Sequence, residues 1–278
     1  MSDLHHIETS HGTLAYRESA GDGLPALMIH GNSTCREVFR NQLDGAIGAA
    51  HRCVAFDLPG HGASEDARDL DRTYNVQGYG AAAIELMQGL GITRYAVLGW
   101  SLGGIIAIDM MSQSKALAGV MITGSPPITQ GKGAVAEGFC GDIEHSIASK
   151  QLLSDEEIDM FARNTCGSDA PYDPFLKDAV TRCDGRARSL MIAKLACGIG
   201  PNQQEIAVNA PNPFAIVNGA LDAFIHNDFI AGLPYRNIWQ RKVHDIPGIG
   251  HAPFWEAPEM FDPYLSGFLN DVTKPTGE

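Results

Sequence analysis

Hydrophobic positions along this chain fall into two alternating textures. Short, unbroken apolar runs stand at residues 26–30, 52–57, 95–99, 119–123 and 214–218. Runs of this length without polar alternation predict strands buried on both faces of a parallel sheet. Between them lie segments of helical period. Residues 76–90 put Ala82, Leu86 and Leu90 on one face and stop at Gly91, residues 102–113 are almost wholly apolar, and residues 258–272 space Phe261, Leu265 and Phe268 along a closing helix. Ahead of the series, residues 4–8 and 13–19 flank His11-Gly12 and predict an opening β-hairpin.

Strand–helix–strand alternation predicts an α/β fold with a mostly parallel central sheet. One stretch breaks the rhythm. Residues 128–206 open with Gly131-Lys132-Gly133 and carry Phe139, Ile143, Leu152, Leu153, Met160, Phe161, Leu190, Met191 and Leu195 with no clear strand. An excursion of that length between two sheet strands predicts an inserted helical cap. The expected organisation is therefore a core built from residues 1–127 and 207–278 around a cap at 128–206.

Composition narrows the partners. With 278 residues, 44% of them hydrophobic and 19% charged, the chain can bury a sizeable core. A net charge of −13 argues against nucleic acid and against an anionic membrane. No apolar run approaches the ~20 residues that span a bilayer. The start, Met1-Ser-Asp-Leu-His-His, lacks the basic and then apolar pattern of a secretory leader. Six scattered cysteines without metal-ligand spacing read as reduced thiols. Together these set the expectation of a cytoplasmic protein acting on a small molecule, with no bound metal or nucleotide cofactor. The oligomeric state is not legible in the sequence.

The chemistry starts at Gly99-Trp100-Ser101-Leu102-Gly103, a G-x-S-x-G motif directly between an apolar strand and an apolar helix. In that context the serine sits on a sharp strand-to-helix turn and acts as a nucleophile. His30-Gly31-Asn32-Ser33 ends the first buried run, where a His-Gly turn lets the loop fold back over the serine. The expected oxyanion hole is the N–H of Leu102 with that of Asn32. His30 and His61, the latter in Asp57-Leu-Pro-Gly-His61-Gly, read as loop-shaping residues. Gly250-His251-Ala-Pro253 lies in a Gly/Pro-rich loop before the final helix and supplies the base. The acid should follow the run that ends at Gly219, which points to Asp222, with Asp228 as its rival. There is no H-E-x-x-H, G-x-G-x-x-G or Walker-type loop.

These motifs specify the α/β-hydrolase fold, and the chain as a whole resembles the metal-independent N-acyl-homoserine lactone lactonases of that fold. The resemblance rests on Met28-Ile-His-Gly-Asn-Ser33, Gly99-Trp-Ser-Leu-Gly-Gly104, Met121-Ile-Thr-Gly-Ser-Pro-Pro127 and Gly250-His-Ala-Pro-Phe254. In the cap it rests on Ala162-Arg-Asn-Thr-Cys-Gly167 and Asp184-Gly-Arg-Ala-Arg188. It implies a quorum-quenching serine hydrolase that opens the lactone ring, with Trp100, Phe139, Phe161 and Phe224 as candidate walls of the substrate site. It departs from the family at Asp222, where the resemblance places a glutamate. A carboxylate one methylene shorter reaches the histidine only if its loop lies closer. A general carboxylesterase and a receptor-like binding module of the same fold are the alternatives. A serine at the turn argues against dehalogenases and epoxide hydrolases of this fold, which use aspartate.

Overall fold

The computed structural model describes residues 3–131, 133–143 and 145–273; Met1 and Ser2 at the chain start, and Lys132 in the opening of the helical excursion, lie outside them. The strands are β1 (His5–Thr9), β2 (Gly12–Glu18), β3 (Gly23–Ile29), β4 (His51–Phe56), β5 (Tyr95–Trp100), β6 (Leu117–Thr123), β7 (Phe214–Gly219) and β8 (His244–Ile246). They form one sheet in the order β1-β2-β4-β3-β5-β6-β7-β8. Strand β2 is antiparallel to β1 and β4, and every other pairing is parallel. The opening hairpin and the five apolar runs each coincide with a strand, extending at most one residue past its end. Strand β8 was not anticipated, because its three residues, His-Asp-Ile, contain no apolar run.

Both faces of the sheet are covered, which is why its central strands read as continuous apolar sequence. On one face Leu27, Ile29, Val97 and Ile122 pack with helices α1 (Val76–Gly89) and α2 (Leu102–Gln113). The opposite pleat, with Met28, Leu98, Met121 and Val217, packs against Phe254 and against Phe261 and Phe268 of the closing helix. Helix α1 begins where the Asn75 side chain accepts from the Gly78 N–H, a cap that its sequence supplies.

Between β6 and β7 the chain runs through helices α3 (Ala134–Gly138), α4 (Asp155–Asn164), α5 (Pro174–Arg182), α6 (Gly185–Ala196) and α7 (Gln203–Asn209). Local chemistry starts each of the longer ones. Ser154 and Glu157 form a reciprocal capping box on α4, Asp173 caps α5 ahead of Pro174, and Asp184 caps α6. Helix α7 crosses residue 206 and packs on α2, with the Gln203 amide donating to the Ile105 carbonyl at 3.4 Å. No described helix is long and apolar enough to cross a membrane.

Register fixes where the site must lie. Ile29, Gly99 and Ile122 are level across β3, β5 and β6, and Trp100 pairs with Thr123. The carboxyl ends of the three central strands therefore finish together. This is the edge at which α/β sheets present their loops to ligands.

Candidate active site

Ser101 follows the last residue of β5 and precedes the first residue of α2, with φ 54° and ψ −118°. A non-glycine residue held there costs about 1–3 kcal/mol of backbone strain, which the surroundings must offset. They do so with several bonds. The Ser101 N–H donates to the Thr123 carbonyl at 3.0 Å, and the Ser101 carbonyl accepts from the Ser125 hydroxyl at 2.7 Å and the Gly104 N–H at 2.9 Å. The flanking glycines are demanded by space. A Cβ on Gly99 would overlap the Gly103 carbonyl, and one on Gly103 would overlap the Ile29 carbonyl of β3. Leu102 opens the helix, so its N–H has no acceptor within the helix.

The loop after β3 lies directly over this turn. A Cβ on Gly31 would stand 3.2 Å from Cβ of Ser101 and 3.1 Å from the Trp100 ring. His30 is fully buried, and that burial pushes its imidazole well below the usual range, leaving it neutral. Its Nε2 accepts from the Leu58 N–H at 3.0 Å, so Nδ1 carries the proton and donates to the Gly31 carbonyl at 2.8 Å. His30 thus clamps its own loop to the Asp57–Ser64 turn. Ser33 takes a left-handed φ of 58°, and its hydroxyl donates to Oδ1 of Asn32 at 3.0 Å. The Asn32 amide in turn donates to the Ala148 carbonyl at 3.0 Å, in the segment between α3 and α4.

The acid and histidine loops are packed with no side chain between them. A Cβ on Gly219, the last residue of β7, would overlap the Gly250 carbonyl. The Ala220 and Leu221 N–H groups donate to the Ile246 and Ile249 carbonyls at 2.9 and 2.8 Å. This close approach brings Oδ2 of Asp222 to 2.7 Å from Nδ1 of His251, while Oδ1 accepts from the Phe224 N–H at 2.8 Å. The Asp222 side chain is 0% exposed and that of His251 6%, so the pair is shielded from water. The shorter carboxylate therefore meets the histidine. Asp228 lies beside Asp245, where its charge helps burial raise that carboxyl. The imidazole is held on further sides: the Trp100 indole donates to the His251 carbonyl at 3.0 Å, Phe224 meets the ring edge-on at 4.7 Å between centroids, and Gly124 leaves no room for a Cβ beside it.

Ser101, His251, Asn32 and Leu102 share one cavity of about 430 Å³. Trp100, Phe139, Phe161 and Phe224 all line it. Trp100, Phe139 and Phe161 are otherwise buried, whereas Phe224 is exposed. The sequence had not pointed to Met160 and Asn164 of α4, or to Met191, Ile192 and Leu195 of α6, as walls of this space. A signal existed in α6, where positions 191, 192 and 195 repeat at helical spacing on a helix whose apolar face must be covered by something. Among the described residues no group of three or more His, Cys, Asp or Glu side chains is placed to hold a metal ion.

Comparison with known proteins agrees with this architecture. The sequence profile of the alpha/beta hydrolase family matches residues 26–262. A structure of the N-acyl homoserine lactonase AidH, a mutant complexed with N-hexanoyl homoserine, is 44% identical with a TM-score of 0.95 and full coverage of both chains. AidH complexed with N-butanoyl homoserine is 44% identical with a TM-score of 0.94, covering 99% of each chain. Among curated relatives, the dihydrolipoyllysine-residue acetyltransferase component of an acetoin cleaving system from Pseudomonas putida is 24% identical over 92% of this chain and 66% of its own. Protein PHYLLO of Arabidopsis thaliana is 25% identical over 92% of this chain and 16% of its own, so the chain spans less than two thirds of either relative. With its profile match running from β3 into the closing helix, the chain belongs to the alpha/beta hydrolase family.

Proposed function

We propose that the protein opens the lactone ring of N-acyl homoserine lactones, with Ser101 as nucleophile, His251 as general base and acid, and Asp222 as the carboxylate that orients it. One observation carries the reading. A serine on a strained strand-to-helix turn and a carboxylate-held histidine share an apolar cavity, in a chain similar along its whole length to a lactonase.

In this reading Nε2 of His251 takes the Ser101 proton as Oγ attacks the lactone carbonyl. Asp222 holds the other ring proton on Nδ1, which fixes the tautomer and stabilises the imidazolium. The tetrahedral oxyanion forms against the N–H groups of Leu102 and Asn32, and loss of one such donor typically costs about 2.7–4 kcal/mol of transition-state stabilisation. Collapse expels the ring oxygen, which takes the proton from His251 and leaves an acyl-enzyme. That new hydroxyl stays tethered to the acyl carbon, and well-aligned intramolecular re-closure has effective molarities of ~10⁵ M or more. Net hydrolysis therefore requires the hydroxyl to swing aside while His251 activates water. The four aromatic walls, with the aliphatic side chains of α6, supply an apolar place for the acyl chain. The helical segment between β6 and β7 then serves as the cap over the site.

The test is lactone opening followed by proton release near neutral pH, for short- and long-chain N-acyl homoserine lactones, beside p-nitrophenyl acetate and an enzyme-free blank. Opening that disappears in Ser101→Ala supports both substrate and nucleophile. Lactones left at the blank rate while the aryl ester is cleaved would replace the lactonase with a general esterase.

A further inference from the structure

A second hollow of about 220 Å³ adjoins the first. Gly141, Asp142, Ile143, Ile192 and Leu195 belong to both linings, so these residues stand between the two spaces. Beyond them Val135 and Ala136 of α3 stand with Ala196 of α6 along a cleft that reaches solvent at Ala136, which is exposed, while Ala196 is half-buried. Asp142, the one acidic side chain common to both linings, is hydrogen-bonded to Nδ1 of His145 at 2.8 Å. The reacting groups sit wholly in the first space: Ser101, Asn32 and His251 line it and none lines the second.

We propose that this cleft is the seat of the far end of a long acyl chain, which passes between Ile143 and Leu195 and runs out between α3 and α6. The inference rests on the lactonase reading and names the substrates within it that the site prefers: unbranched long-chain N-acyl homoserine lactones. Apart from Asp142, the side chains that line the cleft among the described residues are aliphatic, so it suits the inert part of a substrate. Each methylene moved from water onto such a surface favours binding by about fourfold. The chain crosses the boundary of the first cavity by displacing the Ile143 and Leu195 side chains, and the solvent-exposed outer end then leaves room for further methylenes. Preference should therefore keep rising with chain length past the point at which the first cavity is full.

The experiment is a ladder of kcat/KM from N-butanoyl to N-tetradecanoyl homoserine lactone for the wild-type protein, Ala136→Trp and Ala196→Trp. Both alanines are helix positions outside the lining of the first cavity, Ala136 exposed and Ala196 half-buried, so an indole there fills the cleft and leaves the first cavity unchanged. The expected result is a wild-type value that climbs into the long chains. Each tryptophan variant should keep the wild-type rate on the butanoyl and hexanoyl substrates and lose about tenfold or more on the dodecanoyl one, mainly through KM. A wild-type ladder that falls beyond hexanoyl would overturn the inference, as would tryptophan variants that match wild type at every length. In both cases the lactonase reading stands. Turnover of no lactone at any length overturns that reading and takes the inference with it.

Discussion

Replacing Asp222 with asparagine isolates one proton. In the native site the two carboxylate oxygens have different claims on them: Oδ1 accepts from the Phe224 N–H at 2.8 Å and Oδ2 accepts from Nδ1 of His251 at 2.7 Å. An isosteric amide has one oxygen, and the fixed main-chain donor of Phe224 claims it. The NH₂ group is then turned to His251, whose Nδ1 must become an acceptor, and the ring proton moves to Nε2. In the proposed mechanism that is the nitrogen that receives the Ser101 proton. The substitution thus inverts the tautomer while leaving shape and packing alone, and an inverted tautomer in a serine–histidine–aspartate site costs about 10⁴-fold in kcat. The loss corresponds to about 5.4 kcal/mol of barrier. The assay is steady-state turnover of lactone and aryl ester near neutral pH, beside a thermal melt to show that the fold is intact. A variant within tenfold of wild type would refute the assignment of the acid. Asp228→Asn, beside Asp245 and away from His251, is expected to leave turnover unchanged. Asp222→Glu should also lose activity, about 10²-fold, because a loop already close enough for the short side chain pushes the longer one past the ring.

Other perturbations test the scaffold. Asp109 in α2 is buried with Oδ1 lacking a hydrogen-bond partner among the described residues, and burial pushes its carboxyl from 3.8 up to about 6. The native state therefore holds a proton that the unfolded chain releases, so stability falls as pH rises from about 4 to 6 and stays reduced above it. Asp109→Asn should stabilise the protein by about 1–3 kcal/mol at pH 8, with the gain shrinking towards pH 4; equal gains at both pH values in paired melts would contradict this. Arg188 of α6 is buried, yet its partners are uncharged: it donates to the Lys150 carbonyl at 3.0 Å, the Ser33 hydroxyl at 3.3 Å and the Gln151 carbonyl at 3.4 Å. Arg188→Ala unties Ser33 from the helical segment, and about 3 kcal/mol of stability should go together with a fall in kcat; a variant equal to wild type in both would show that the tie is idle. Cys140 is a half-buried thiol in the cavity wall, 3.4 Å from Nδ1 of His226, whereas Cys35 and Cys53 are buried and pushed up to about 12. Treatment with N-ethylmaleimide should label Cys140 and the exposed Cys197, and inactivation should vanish in Cys140→Ser but persist in Cys197→Ser.

What could be read from the sequence is what local physics dictates. Strands β3 to β7 announce themselves because a strand buried on both faces has no polar position to spare, and Ser101 announces itself because its turn leaves no room for side chains at Gly99 and Gly103. Strand β8 has no such signature: three residues at a sheet margin are specified by pairing with β7, which is information held elsewhere in the chain. The cavity wall is hidden for a related reason. Met191, Ile192 and Leu195 show the period of any amphipathic helix, and whether that face meets core or an empty space depends on how α6 docks. Arg188 is the sharpest case, since a lone arginine in sequence says nothing of a buried guanidinium shared by three segments.

Asp222 shows both sides of the matter. Chain order and its place after β7 point to it, and a carboxylate one methylene shorter than the glutamate of the resembling family reaches the histidine only if its loop lies closer. The resolution lies in the backbone. Gly219 lies against Gly250 so tightly that neither loop has a side chain between them, and two main-chain bonds from residues 220 and 221 hold the acid loop onto the histidine loop. In the proposed triad it is this approach of the loops that lets the short side chain of Asp222 meet His251. It follows that Gly219 and Asp222 form one unit: lengthening the side chain should harm this protein unless the loop contact is loosened at the same time.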